Sequence, residues 1–271
     1  MNKTILITGT SSGIGKETAK LFQSKGWNVI ATMRSPEKET DLNQLSNTLV
    51  TRLDVTDLDS INEAVRLGIQ RFGKIDVLVN NAGYGAYGTL ESFPRDGIVR
   101  QFNTNVIGLL DVTRAVLPHF RQNKKGLVIN ISSIMGQMTF PLGALYNGTK
   151  FAVEGISEAL RYELDQLGVK IKLVEPGIIA TDFSGRSLDI GYDESLTEYE
   201  SIVSKVMGAM PKMLKNASPA SLVANVIFVA ATDGKNKLRY LAGPDAKVSV
   251  FLNKWLGYNF MVRSIKFFFK L

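Results

Sequence analysis

Short apolar runs rich in β-branched residues recur along the chain, separated by longer stretches of helical periodicity. The runs at 3–8 (KTILIT), 27–32 (WNVIAT), 48–53 (TLVTRL), 74–80 (KIDVLVN), 126–132 (GLVINIS) and 170–176 (KIKLVEP) predict buried parallel strands. A weaker run, KLRYLAG at 237–243, predicts a seventh. Helical segments are expected at about 13–25, 57–72, 95–122, 144–167 and 218–231. In the fourth of these, Ala152, Ile156, Ala159, Leu160, Leu164 and Leu167 keep to one face. Strand and helix alternate throughout, which implies an α/β fold with a doubly wound parallel sheet of about seven strands. The rhythm lapses between Thr181 and Met213, in a stretch rich in Ser, Asp, Glu, Tyr and Met. An insertion beyond the carboxyl end of a strand is well placed to cover a ligand crevice. Residues 183–213 are therefore expected to close over a substrate.

Composition changes this picture in three places. The chain has no cysteine, which excludes disulfides, thiolate metal sites and a cysteine nucleophile, and fits a reducing cytoplasm. Its amino terminus lacks the pattern of a secretory signal, and no stretch approaches the roughly 18 apolar residues of a membrane span. The net charge of +7 is local. Eight of the 32 basic residues and one of the 25 acidic ones lie from Lys235 onward, leaving 24 of each in the rest of the chain. One domain is expected over 1–243, followed by a basic, aromatic extension over 244–271.

The segment TGTSSGIG, Thr8 to Gly15, follows the first strand and opens the first helix. Gly9 permits a tight turn, Gly13 a close approach of backbone N–H groups to a pyrophosphate, and Gly15 close packing of helix on sheet. Ser11, Ser12 and Ile14 complete a phosphate cradle at a helix N-terminus. The plain alternative is a Gly/Ser turn, but its place between strand and helix favours a dinucleotide in a Rossmann-type fold. An NAD site usually carries an acid at the end of the second strand for the ribose hydroxyl. Here that strand ends in Met33 and Arg34, and the next carboxylate is Glu37, past Pro36. Arginine can pair with the additional 2′-phosphate of NADP, and Ser11 can donate to it. NADP(H) is therefore expected in preference to NAD(H); the alternative for Arg34 is an ordinary exposed arginine at a strand end.

Further motifs follow in order: NNAG (Asn80 to Gly83), Asn105 in NTNVIG, NISS (Asn130 to Ser133), Tyr146-x-x-x-Lys150 and PGIIAT (Pro176 to Thr181). With the glycine turn, this ordered set resembles the short-chain dehydrogenase/reductase family. ATMRS and the region after Pro176 are similar to its hydroxysteroid and retinol dehydrogenase branch. The resemblance implies that Asp54 and Val55 flank the adenine, and that Asn81, Ala82 and Gly83 line the cofactor. It implies that Pro176, Gly177, Ile179 and Thr181 hold the nicotinamide end. Asn105, Ser133, Tyr146 and Lys150 would form the catalytic set, with Asn105 positioning a water between Lys150 and solvent. The filling NGT between Tyr146 and Lys150 is unusual for the family and alters neither reactive group. A homodimer or homotetramer is the family-level expectation.

The chemistry suits those residues. A free tyrosine, with a pKa of about 10, is a sluggish acid or base near neutrality. Lys150 lies one helical turn from Tyr146, and a neighbouring ammonium favours tyrosinate, so Lys150 is expected to lower the Tyr146 pKa. By resemblance, Lys150 also grips the nicotinamide ribose. Ser133 can donate to a carbonyl oxygen and polarise it. The expected activity is interconversion of a carbonyl and an alcohol, with a lipophilic ketone or aldehyde as substrate. Two other readings stay open: a non-catalytic nucleotide sensor, and a dehydratase or epimerase relative. The single histidine, His119, is expected to be structural, and no residues have metal-ligand spacing.

The final segment NKWLGYNFMVRSIKFFFKL combines aromatic and basic residues with no acid. It could pack on the domain or a partner subunit, close over a lipophilic substrate, or lie on an anionic membrane surface. Nucleic acid is not an expected partner, because the rest of the chain is neutral and lacks a binding motif.

Overall fold

A computed structural model describes residues 2–181 and 187–271. The elements alternate from the start: β1 (Thr4–Thr8), α1 (Gly13–Ser24), β2 (Asn28–Met33), β3 (Thr48–Arg52), α2 (Leu58–Phe72), β4 (Val77–Asn80). After a short strand β5 (Gly85–Gly88) come α3 (Arg95–Phe102), α4 (Gly108–Gln122), β6 (Gly126–Ile131), α5 (Ala144–Leu164) and β7 (Val169–Pro176). Two short strands, β8 (Ile179–Ala180) and β9 (Leu188–Gly191), precede α6 (Glu200–Lys215). Then follow β10 (Ser218–Pro219), α7 (Ala220–Thr232), β11 (Arg239–Ala242) and α8 (Pro244–Phe269).

Seven strands form one parallel sheet in the order β11-β7-β6-β4-β1-β2-β3. The order reverses at β1, between β2 and β4, so a crevice opens beyond the carboxyl ends of β1 and β4. Alternation along the strands divides the core. Ile5 and Ile7 pack with Phe22, Trp27, Val223 and Ile227, on the face covered by α1 and α7. Leu6 and Ile30 pack with Ile61, Val112, Val116 and Phe120, on the face covered by α2 and α4.

The strand runs of the sequence correspond to β1–β4, β6, β7 and β11. β4 begins at Val77 instead of residue 74 because residues 74–76 take side-chain partners. The Ile75 N–H donates to His119 Nε2 at 3.1 Å, Asp76 Oδ2 accepts from Thr4 N at 2.8 Å, and Lys74 pairs with Asp76 at 3.1 Å. Burial holds the His119 pKa below its ordinary value, so the ring is a neutral acceptor stitching α4 to the sheet. The helix expected over 95–122 is broken by a π turn at Asn103–Ile107.

Three parts of the chain gain structure that periodicity left unassigned. β5 and β9 pair as a two-stranded parallel ribbon, Gly85 opposite Leu188 and Gly88 opposite Gly191. α6 takes up the later part of the irregular segment, from Glu200 onward, while its residues 183–186 lie outside the described ones. The carboxyl extension is helical, kinked at Gly257 (φ 75°, ψ 174°).

Candidate active site

Beyond β1 the chain turns at Gly9 with φ +72°, where a Cβ would lie 2.9 Å from Ala82 Cα. At Gly15 a Cβ would lie 2.2 Å from the Gly9 carbonyl oxygen, so the first turn of α1 can sit on the loop only without a side chain. Asn81 locks this arrangement: its Nδ2 donates to Thr8 O at 2.9 Å and Gly9 O at 3.0 Å. Thr8 Oγ1 in turn accepts from the N–H groups of Asn81 and Ala82, each at 3.0 Å. Ser12 precedes α1 without a side-chain cap, and the first turn holds no acid. The N–H groups at this helix start are therefore set for an external anion. A dinucleotide pyrophosphate fits this cradle. Ser11, Ser12, Gly13 and Ile14 line the crevice, while Gly15 is buried behind it.

Met33 is buried at the end of β2 and Arg34 is exposed beside it, both on the crevice wall. Arg34 makes no ion pair with any described residue. Asp54 Oδ1 accepts from Thr56 N at 2.9 Å and Thr56 Oγ1 at 2.8 Å, a turn that presents Asp54 and buried Val55 to the same wall. Ala82 and Gly83 line it from the end of β4, and Pro176, Gly177, Ile179 and Thr181 from the end of β7. The loop after β7 is held by a residue the sequence did not single out. Asp245, the one acid of the carboxyl extension, accepts from Ile178 N through Oδ2 at 2.7 Å. Gly177 leaves room for it, since a Cβ there would meet that carboxylate at 2.1 Å.

Ser133, Tyr146 and Lys150 converge where β6 meets α5, and all three are buried. Ser133 Oγ accepts from Met135 N at 3.1 Å, which fixes the turn after β6, and the Ser133 and Tyr146 side chains are hydrogen bonded. Lys150 Nζ donates to the carbonyl of Ile131, the last residue of β6, at 2.8 Å and lies 5.6 Å from the centre of the Tyr146 ring. The expectation that Lys150 lowers the Tyr146 pKa is corrected here. Burial pushes Tyr146 up to about 12, opposed by the Ser133 hydrogen bond. Burial also lowers Lys150 to about 8, against the pull of the Glu154 carboxylate. For both groups loss of hydration is the largest cause of the shift.

Asn105 does not line the crevice. Within the π turn its Nδ2 donates to Tyr84 O at 2.8 Å and Thr149 Oγ1 at 3.2 Å, while Oδ1 accepts from Tyr84 N at 3.0 Å. Its side chain thus pins the loop after β4 to α5. The unusual filling NGT takes part in this. Thr149 Oγ1 donates to Tyr146 O at 2.8 Å, and Asn147 Nδ2 donates to Phe140 O at 3.1 Å. These contacts tie the Tyr146 turn to both neighbouring loops.

Behind Lys150 lies a buried acid pair. Arg239 Nη2 is 2.9 Å from Glu154 Oε2, and its Nε is 3.1 Å from Glu175 Oε1. Burial, with the nearby Glu154 charge, raises Glu175 to about 8. Periodicity gave no hint of this pair, because Glu154 and Glu175 sit on different elements far apart in sequence.

The glycine turn, the Arg34 wall and the Ser133–Tyr146–Lys150 cluster open onto one cavity of about 730 Å³. Its phosphate end is polar. Its other end is lined by Met135, Phe140, Val206, Met210, Met213 and Phe269. Of the segment expected to cover the substrate, Leu188, Val206, Met210 and Met213 reach this wall. Tyr87 stacks on Tyr146 with ring centres 5.6 Å apart, and its Oη lies 3.2 Å from Met135 Sδ. Tyr87 was not identified from sequence, and Phe269 only as part of the final segment that could close over a lipophilic substrate. YGAYG is too rich in glycine to stand out as a strand, and Phe269 lies 88 residues beyond the last site motif, Pro176 to Thr181.

The family model described as short chain dehydrogenase matches residues 3–189. The chain belongs to the short-chain dehydrogenase family. It is an oxidoreductase of that family, and its seven-stranded sheet is the family's fold. It is 47% identical over 211 residues to an uncharacterized oxidoreductase of Schizosaccharomyces pombe, covering 78% of this chain and 88% of that one. It is 35% identical over 270 residues to 3-ketodihydrosphingosine reductase of Bacteroides thetaiotaomicron, covering 98% of both chains. Among solved structures, ElxO with NADP bound superposes with a TM-score of 0.72 at 31% identity, covering 89% of this chain and 98% of the other.

Proposed function

We propose that the protein is an NADP(H)-dependent reductase of a lipophilic ketone, of the long-chain keto-lipid class. The observation that carries the reading is one continuous cavity whose lining holds Arg34, the buried Ser133–Tyr146–Lys150 cluster, and the apolar Phe140, Met213 and Phe269. The near full-length similarity to 3-ketodihydrosphingosine reductase supports the substrate class, and the similarity to NADP-bound ElxO supports the cofactor.

Gly9, Ser12, Gly13 and Ile14 would hold the pyrophosphate at the start of α1. Arg34 and Ser11 would pair with the 2′-phosphate, and Asp54 and Val55 would flank the adenine. Asn81 and Gly15 keep the cradle's shape, while Ala82, Gly83, Pro176, Gly177, Ile179 and Thr181 would enclose the nicotinamide half. The bound dinucleotide supplies the hydride that reduces the carbonyl carbon. Ser133 donates a hydrogen bond to the carbonyl oxygen and stabilises the negative charge that develops there. Tyr146 transfers its phenolic proton to that oxygen, which becomes the alcohol hydroxyl. A Tyr146 pKa near 12 keeps the phenol protonated, the form that reduction requires. Lys150 would turn from Ile131 O toward the ribose hydroxyls and return a proton to Tyr146. Asn105, through Thr149 and Tyr84, holds the geometry in which these steps occur.

The test is loss of nicotinamide absorbance with NADPH or NADH, using 3-ketodihydrosphingosine, steroid ketones and short water-soluble ketones as substrates. NADPH-selective turnover of the long-chain ketones is expected. Turnover confined to small polar ketones would overturn the substrate class, and an NADH preference would overturn the Arg34 assignment. Tight NADPH binding with no turnover of any substrate would point to a nucleotide sensor instead.

A further inference from the structure

We infer that the outer face of α8 docks on an anionic lipid bilayer, and that this contact sets the apolar end of the cavity beside the membrane from which the substrate comes. The second half rests on the keto-lipid reading above; the docking itself does not.

The inner side of α8 is fixed to the protein. Asp245 holds Ile178 N, Asn253 Nδ2 donates to Gln137 O at 3.1 Å, and Phe269, 4% exposed, packs edge-on against Phe140 with ring centres 6.4 Å apart. The outer side carries rings that touch little: Trp255 is 71% exposed, Tyr258 73% and Phe267 87%. Lys247, Lys254, Arg263, Lys266 and Lys270 are all exposed along the same helix, and none pairs with an acid among the described residues. Isolated exposed apolar residues are ordinary, but a run of exposed rings interleaved with unpaired cations marks an interaction surface.

Charge selects the occupant. A second copy docked through the same face would bring five cations against five, and the remainder of the chain, with equal numbers of acids and bases, offers no compensating surplus. Anionic headgroups attract lysine and arginine, while tryptophan and tyrosine settle at the level of the headgroups. No helix among the described residues is long and apolar enough to cross a membrane. A helix kinked at Gly257, with its cations outward, suits a position in the plane of the interface. The rings also connect surface to site. Half-exposed Phe268 packs edge-on to Phe269 at 4.9 Å, and Phe269 forms part of the cavity wall.

The experiment uses the full chain with phosphatidylcholine vesicles, with and without phosphatidylglycerol. Sedimentation and tryptophan emission are the readouts. Trp27 is 6% exposed, so an emission shift on binding reports Trp255. Sedimentation and a blue shift are expected with the anionic vesicles only, both weakening as salt is raised. The double variants Lys254→Glu/Lys266→Glu and Trp255→Ala/Phe267→Ser should each lose about tenfold or more in vesicle affinity. Both should turn over a short water-soluble ketone like the parent protein. Absence of sedimentation of the parent protein, or equal sedimentation with neutral vesicles, overturns the inference. So does loss of an oligomer in lipid-free solution in the Trp255→Ala/Phe267→Ser variant, which would give the face to a second copy. Failure of every substrate in the turnover assay would sink the proposed function while leaving the vesicle result to stand or fall alone.

Discussion

Two walls of the same cavity are built in different ways. The wall made by the β6 end and α5 is held by short polar contacts: Ser133 caps its own turn, Lys150 reaches Ile131 O, and Asn105 and Thr149 clamp the Tyr146 turn. The opposite wall, made by α6 and the end of α8, is mostly side-chain surface: Val206, Met210, Met213, Phe269. Hydrogen bonds of fixed length position reacting groups, whereas apolar contacts of adaptable shape accept a range of chains. The first wall is therefore expected to set the reaction, and the second to set which ketone reaches it.

Substitutions can separate the two. The largest effect is expected on the polar wall, where Ser133→Ala removes the donor to the developing oxyanion. It should lower kcat by about 10²–10³ for every ketone, long or short. Steady-state kinetics on one long-chain and one short ketone check this, and a loss confined to one of them would break the division. Arg34→Ala comes next. Loss of a charge-assisted contact with the 2′-phosphate should raise KM for NADPH about tenfold to a hundredfold and leave NADH unaffected. Equal effects on both cofactors would show that Arg34 is only an exposed strand-end residue.

On the apolar wall, Phe269→Ala should raise KM about tenfold for long-chain ketones by removing one large apolar contact. A short ketone should show little change. Equal loss for both would mean that α8 supports the catalytic geometry itself.

A separate effect, on stability instead of turnover, lies behind the polar wall. The Glu175 carboxyl, with its pKa raised from 4.5 to about 8, binds its proton more tightly folded than unfolded. Its contribution is fully present below about pH 4.5 and is lost as pH rises through about 8. Denaturation of the parent protein should therefore show stability falling across this window, with a slope approaching about 1.4 kcal/mol per pH unit. Glu175→Gln should flatten it. An identical pH dependence in the variant would mean that Arg239 already holds Glu175 ionised.

The same contrast explains what could be read from sequence. The gathering of the glycine turn, Ser133, Tyr146 and Lys150 on one crevice was legible because each belongs to a motif at the end of a strand or along one helix, and the motifs in their order resemble the family. Arg34 was legible as a missing acid. The second wall was legible only in position: residues 183–213 were expected over the substrate, but not as a helix and a strand pair, because α6 carries Pro211 and β5, the partner of β9, is half glycine. Phe269 reaches the cavity from the far end of a helix whose start Asp245 anchors to the loop after β7. The direction of the Tyr146 pKa shift was misread for a related reason. Its spacing from Lys150 was visible, but the depth of burial that opposes tyrosinate is a property of the folded site.

The most direct test of the account compares the parent protein with Tyr146→Phe. Both NADPH binding, followed by nicotinamide fluorescence, and turnover of a long-chain ketone would be measured. Removal of the proton donor should leave binding within a few-fold and reduce kcat by about 10²–10⁴. Retained turnover in the variant would contradict the assignment of Tyr146 as the acid, and with it the chemistry proposed for this site.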